Sequence, residues 1–318
     1  MSDTGRSSDE LGKYLDPKIL ARIHRLDLRT RLVVEGFLAG LHRSPYRGLS
    51  VEFAQHREYV PGDDIRHVDW KVYSRTDRYY IKQYEEETNL RCTFLVDVSE
   101  SMKYAGVLGG TGLNKFHYAS VVAASLALLL LGQQDAAGLA TFDEDLAASV
   151  PPSANPNNIK NIVHQLELAA DTLKAKTAIE PICRKLAETL GRRGMVCLVS
   201  DLFLDEDELM RGLMRLTHAG HDVMVLQILD EEELTFPFEG NTRFRGLEQM
   251  GTVTGEPRRL REGYLDALGE FLTEVKRRCV SNRIGYAVIN TADHLGAVLA
   301  EFLSLRRERA HKAASKRR

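Results

Sequence analysis

The sequence predicts an α/β protein: a doubly wound, mainly parallel sheet preceded by a small helical and β subdomain. Three observations predict it. From about residue 91 onward, apolar runs of strand length alternate with segments of helical periodicity. The strand candidates are near-continuous apolar runs, as expected where helices cover both faces of a sheet. The chain has 318 residues, enough for one large α/β domain or for one domain plus a smaller one. Strand–helix alternation then implies right-handed crossovers.

The elements follow in order. Residues 1–15 are read as disordered. Their first ten, "MSDTGRSSDE", lack a basic region followed by an apolar core, so no signal peptide is expected. Residues 16–90 form the subdomain. It begins with apolar positions at helical spacing (Ile19, Leu20, Ile23, then Val33, Val34, Phe37, Leu38 and Leu41) behind an Asp16-Pro17 start. Residues 49–90 are polar and aromatic, with short β-like runs and a Pro61-Gly62-Asp63 turn. They hold Trp70, the only Trp, and five of the eleven Tyr, which argues for a folded unit rather than a linker.

Residues 91–305 carry the alternating pattern. The strands are "RCTFLVDVS", "DAAGLATFD" with a short partner "DLAASV", "GMVCLVSDLF", "HDVMVLQIL" and "RIGYAVINT". The helices are Lys115–Gly132, "PNNIKNIVHQLELA", "AIEPICRKLAETLGRR", "DEDELMRGLMRLTHAG", "GYLDALGEFLTEVKRRCVSN" and "HLGAVLAEFLSLRRER", with an irregular stretch after the fourth strand. The longest apolar run, Ala119–Leu131, has thirteen residues and is too short to span a bilayer, so a buried helix is expected and no membrane insertion. Residues 306–318 hold seven Lys/Arg against one Glu and are read as a solvated basic tail, with weak contact to an acidic partner as the alternative.

Composition narrows the function classes. Lys+Arg is 43 and Asp+Glu is 45, a net charge of -2, which does not suggest a nucleic-acid binder. The four cysteines (92, 183, 197 and 279) form no C-x-x-C pair, so buried, reduced thiols in a cytoplasmic protein are expected. The histidines show no metal spacing, and His67 is read as structural. "GVLGGTGLNK" (106–115) does not fit a phosphate loop, because Lys115 follows Asn and precedes Phe, and it is read as a flexible loop. No G-x-S-x-G is present, which sets a serine hydrolase aside.

The chemistry gathers at strand ends. Asp97 closes the first strand of the α/β part, and Ser99 and Ser101 follow on the strand-to-helix loop. Asp201 closes another strand, and Thr177 opens a helix that can reach the same edge. In doubly wound sheets, ligands bind at that carboxyl edge. Two carboxylates and three hydroxyls suit a hard divalent cation. With neutral hydroxyls as direct ligands and the aspartates acting through water, the ion stays under-neutralised and seeks an acidic side chain from a partner. Helix capping is the alternative use of the same Asp and Ser residues.

Asp97-x-Ser99-x-Ser101, Thr177 and Asp201 resemble the metal-ion-dependent adhesion site of von Willebrand factor A-type domains, over roughly residues 90–305. The resemblance implies that fold type and Mg²⁺, with Mn²⁺ or Ca²⁺ as alternatives. It leaves room for a member that keeps the fold without metal. Two departures stand out: Thr177 follows "KAK" rather than glycines, and "SDLF" stands where many members have Asp-Gly.

A second resemblance covers residues 40–90. Phe53, Arg57, Tyr59, Pro61, Gly62, Asp63, Asp64, Arg66, Asp69, Trp70 and Arg75 are similar to the signature of the bacterial family called domain of unknown function 58. That resemblance implies an adaptor or chaperone partner of a MoxR-type AAA+ ATPase. Within the signature, Arg57, Asp63, Asp64, Arg66, Asp69, Trp70 and Arg75 are read either as internal ion pairs and an anchor or as a docking surface. The reading favoured is a non-enzymatic, metal-dependent protein-interaction module. The alternative is a magnesium-dependent phosphohydrolase with Asp97 as nucleophile. Against it, Ser99 stands where a second acid is usual, and no well-placed Lys is evident.

Overall fold

Seven residues, Arg91–Asp97 (β3), organise the larger part of the molecule, and six of them are fully buried. The structure is a computed structural model that describes Leu26, Thr30, Val34 and residues 56–58, 70–76, 78–82, 90–106, 113–143, 145–170, 178–191, 193–240, 242–245 and 251–315. The chain forms two compact units, one of Leu41–Asn89 and one of Met1–Gly40 with Leu90–Arg318.

In the smaller unit, β1 (His56–Glu58) pairs antiparallel with β2 (Tyr80–Lys82), Arg57 opposite Ile81. Between them lies α1 (Trp70–Thr76), and Tyr73 stacks on Tyr79 at 4.4 Å.

In the larger unit, β3 is joined by β4 (Ala136–Phe142), β5 (Leu146–Ser153), β6 (Met195–Ser200), β7 (Asp222–Leu229) and β10 (Gly285–Asn290). Their order is β10-β7-β6-β3-β4-β5, parallel except for the β4–β5 pair. From β3 the chain winds outward through β4 and β5, then returns to β6 and winds the other way. The order therefore reverses between β3 and β6, where a doubly wound sheet opens its crevice.

Helices cover both faces. The face that Leu95, Leu198 and Val225 present packs against α4 (Ile179–Thr189), α5 (Glu206–His218) and α7 (Pro257–Ser281). On the other face, Phe94 meets Phe302 of α8 (Leu295–Ser315) at 6.4 Å, beside α2 (Lys115–Gly132) and α3 (Asn158–Ala170). Each fully buried Leu or Phe contributes about 1.5–3 kcal/mol. Fifteen of the eighteen residues of α2 are buried. It is the one described helix apolar and long enough to cross a membrane, and here it is the core helix of the sheet. Leu26, Thr30 and Val34 are helical and buried, four residues apart on one face.

Local signals explain the starts. Asn114 caps α2 by accepting from His117 N at 2.7 Å, and Asp205 caps α5 by accepting from Glu208 N at 2.8 Å. Acids fill the first turn of α5, and Arg215 and His218 its last, as the helix dipole favours. All four cysteines are buried free thiols, and burial pushes Cys183 and Cys279 up to about 12, which keeps them unreactive.

Three readings of the sequence are corrected. The irregular stretch after β7 holds α6 (Glu231–Thr235) and a hairpin of β8 (Thr242–Arg245) and β9 (Thr252–Gly255). Its order comes from an aromatic cluster of Phe236, Phe238, Phe244 and Tyr264, with ring centroids 4.6–5.5 Å apart, which has no simple period. Helix α7 starts at Pro257, before the predicted Gly263, since proline suits a first turn. Helix α8 runs through Ser315 into the segment read as a basic tail. That segment has no Gly or Pro, and Arg306 donates to Asp135 at 2.7 Å and to Gln133 at 3.1 Å.

Candidate metal-ion site

The register between β3 and β6 sets Val96 beside Val199, so Asp97 and Ser200 come next to each other at the carboxyl edge. Ser200 donates its hydroxyl to Asp97 Oδ2 at 2.6 Å, and the Ser99 amide donates to Asp97 Oδ1 at 2.8 Å. Asp97, Ser99 and Asp201 are each 1% exposed, and Ser101 is 9% exposed. Ser101 lies in a 3-10 turn, Glu100–Lys103, which turns its hydroxyl back to that of Ser99 at 2.9 Å. The structure thus brings together Asp97, Ser99, Ser101 and Asp201. Thr177 lies outside the described residues.

These groups fit a hard ion. Two cis ligands of an octahedral ion at 2.0–2.1 Å lie about 3 Å apart, the separation of the two serine oxygens. Among the described residues, no three His, Cys, Asp or Glu side chains form a metal cluster, so hydroxyls would have to complete the donor set. Burial, together with the negative charge of Asp201, pushes the Asp97 carboxyl up to about 7, against the hydrogen bonds from Ser200 and Ser99. A buried carboxylate under that strain is eased by a cation.

Asp201 is served differently. Lys115, the first residue of α2 and 1% exposed, places its ammonium 2.8 Å from Asp201 Oδ2 and 2.7 Å from Glu233 Oε1. Burial alone would lower the ammonium, but Asp201 and Glu233 outweigh it and hold it above the usual lysine value. At Glu233 burial is the larger effect and raises the carboxyl despite Lys115. Among the described residues the ammonium has two carboxylate partners, whereas that carboxylate has one ammonium. The ring of Phe203, itself 41% exposed, lies 4.9 Å from Nζ, and that of Tyr104 lies 5.8 Å from it. Lys115 is therefore well placed at the site, contrary to the reading that no such lysine was evident. Its position beside a glycine-rich loop pointed only to a phosphate motif.

The departure at "SDLF" has a structural counterpart. Leu202 takes a left-handed backbone with φ 60°, where glycine is unstrained. Such a residue costs about 1–3 kcal/mol, offset here by full burial of the Leu202 side chain and by its amide bonding Ser200 Oγ at 3.0 Å. The backbone of Asp201 is held from behind. Gln227, fully buried in β7, donates to Asp201 O at 2.9 Å and accepts from the Tyr286 hydroxyl at 2.5 Å. A single amide inside "HDVMVLQIL" was the signal that could have found it, since a buried amide must be paired. Replacing Gln227 with Leu deprives the Asp201 carbonyl and the half-buried Tyr286 hydroxyl of that amide. We expect a loss of about 1–3 kcal/mol in urea unfolding, with weaker divalent-ion binding; unchanged stability would show that the relay is not used.

Helix α6 ties the edge together. Asp230 and Glu233 form a reciprocal cap, Asp230 Oδ2 accepts from Gly106 N at 3.2 Å and from Thr291 Oγ1 at 3.0 Å, and Tyr104 donates to Glu232 at 2.9 Å.

Of the second residue set, Arg57 lies in β1, Trp70 opens α1, and Arg75 is exposed in its last turn. Asp63, Asp64, Arg66 and Asp69 lie outside the described residues.

An uncharacterized protein of Mycobacterium tuberculosis is 27% identical over 240 residues, 74% of this chain and 73% of that one. Among solved structures, the conserved hypothetical protein BatB from Bacteroides thetaiotaomicron is similar at 16% identity and TM-score 0.45, covering 69% of this chain and 99% of that chain. The SpRpn10 VWA domain is similar at 13% identity and TM-score 0.37, covering 66% and 94%. The family model described as "Protein of unknown function DUF58" matches residues 55–270, more than half of the sequence, and the chain belongs to that family.

Proposed function

We propose that this chain is a non-enzymatic, metal-dependent protein-interaction module of the cytoplasm, an adaptor or chaperone partner of a MoxR-type AAA+ ATPase. The observation that carries the metal dependence is the pair of serine hydroxyls 2.9 Å apart beside the buried carboxylate of Asp97. Hydroxyl ligands leave a divalent ion with unmet positive charge, and an acidic side chain of the partner meets it. Phe203 supplies an exposed aromatic contact next to that point. Support for the ATPase as partner is the resemblance of residues 40–90 to a signature whose bearers often accompany such ATPases.

The phosphohydrolase reading gains Lys115 beside the site. Against it, both oxygens of Asp97 already accept hydrogen bonds, from Ser99 N and Ser200 Oγ, which lowers the readiness of that carboxylate to attack.

Affinity capture from cognate cell extract, with Mg²⁺ or with chelator, tests the proposal. The parent protein should enrich a AAA+ ATPase only with Mg²⁺, and the Ser99→Ala/Ser101→Ala variant should lose it. Equal capture by parent and variant would sink the reading. Phosphatase activity present in the parent and absent in Asp97→Asn would move the assignment to the alternative.

A further inference from the structure

We propose that Lys115 is an internal counter-cation that competes with a divalent ion for Asp201, and so sets the ion affinity of the site. The inference rests on reading Asp97, Ser99 and Ser101 as the ion's ligands.

Four observations carry it. Lys115 occupies the first position of α2, the positive end of a helix dipole, where a cation is disfavoured unless acids hold it. Two acids do so, at 2.8 and 2.7 Å, with Phe203 over the ammonium. The two carboxylates of the edge are unequal: Asp201 has an ammonium, whereas among the described residues no Lys or Arg pairs with Asp97. Lastly, both oxygens of Asp201 are engaged, Oδ2 by Lys115 and Oδ1 by the Phe203 amide at 3.3 Å. A divalent ion that draws on Asp201 must displace the ammonium from Oδ2, and that displacement weakens ion binding, since like charges repel strongly where water is excluded.

The ammonium has somewhere to go. When Asp201 turns to an ion, Lys115 keeps Glu233. Glu233 belongs to α6, whose Asp230 and Glu232 hold Gly106 and Tyr104, the chain just beyond the serine turn. The division of Lys115 between Asp201 and Glu233 thus couples ion occupancy to the loop that borders the site.

Calorimetric titration of the full chain with Mn²⁺ tests this. Lys115→Gln should bind Mn²⁺ at least about tenfold more tightly than the parent, the effect of removing one adjacent like charge. The binding should vanish in Ser99→Ala/Ser101→Ala. If the parent binds Mn²⁺ through the serines and folded Lys115→Gln binds no more tightly, the Lys115 proposal is wrong and the ion reading stands. If neither parent nor Lys115→Gln binds Mn²⁺, both fall. A measurement on the parent alone avoids any folding defect of the variant. Acylation of Lys115 by an amine-reactive reagent, followed by peptide mass spectrometry, should speed up at saturating Mn²⁺ relative to exposed Lys160. An unchanged rate overturns the proposal.

Discussion

Asp97→Asn should stabilise the ion-free protein at pH 8 while removing its divalent-ion binding. Burial and the charge of Asp201 raise the folded-state pKa of Asp97 to about 7, against about 3.9 in an unfolded chain. A raised carboxyl pKa means that the folded state holds a proton the unfolded state has released. The stability this brings is fully present below about pH 4 and is lost as pH rises through about 7. Above that, folding must keep an ionised group in a site that is 1% exposed. Asparagine is neutral at every pH. Its oxygen can keep the Ser99 amide, and its amide can donate to Ser200 Oγ in place of the bond that Ser200 now donates. We expect a gain of about 1–3 kcal/mol at pH 8, a rise of several degrees in Tm for a unit of this size. At pH 4, where Asp97 carries its proton in the folded chain and largely keeps it in the unfolded one, parent and variant should differ little. Calorimetric melting of both proteins in chelator at the two pH values checks it. A variant that melts lower than the parent at pH 8 would show that the Asp97 carboxylate is already compensated.

Lys115→Met should have the larger effect on stability, in the opposite direction. It leaves the Asp201 and Glu233 carboxylates without the ammonium at 2.8 and 2.7 Å, and the side chain of Asp201 is 2% exposed. Breaking a buried pair from one side costs about 3–5 kcal/mol. Urea unfolding in chelator should show that loss. Two further results should follow. The triple variant Lys115→Met/Asp201→Asn/Glu233→Gln should recover most of it, because no uncompensated charge remains. Mn²⁺ should also raise the Tm of Lys115→Met by more than it raises that of the parent, as the ion takes over the neutralisation of Asp201. A loss under about 1 kcal/mol would mean that water reaches the triad.

The two predictions describe one trade. Among the described residues no Lys or Arg pairs with Asp97, and its raised pKa should make the ionised carboxylate costly at neutral pH. Lys115 supplies a cation to the neighbouring acid. Functional sites commonly carry such costs, and Leu202 at φ 60° adds backbone strain at the same place.

Much of this site was legible in the sequence because its parts are local. Asp97, Ser99 and Ser101 lie within five residues, and strand-length apolar runs ending in Asp97 and Asp201 place both acids on one edge. The alternation of strands and helices was equally plain, since continuous apolar runs and helical periodicity are properties of short windows. Hairpin β8–β9 was not visible, because aromatic contacts among Phe236, Phe238, Phe244 and Tyr264 hold it rather than a repeating pattern. Helix α8 was cut short because its charge suggested a tail, while Arg306 finds its partner, Asp135, 171 residues away.

By itself, then, the chain's order of residues determined the layered α/β architecture and the oxygen-rich end of β3, since both depend on neighbours along the backbone. Only the tertiary structure decided that β6 lies beside β3, that Gln227 holds Asp201 from behind, and that the ammonium of Lys115 rests on that acid. The physical reason is range: burial and charge pairing act through space, and their strength depends on which distant groups the fold brings within 3 Å.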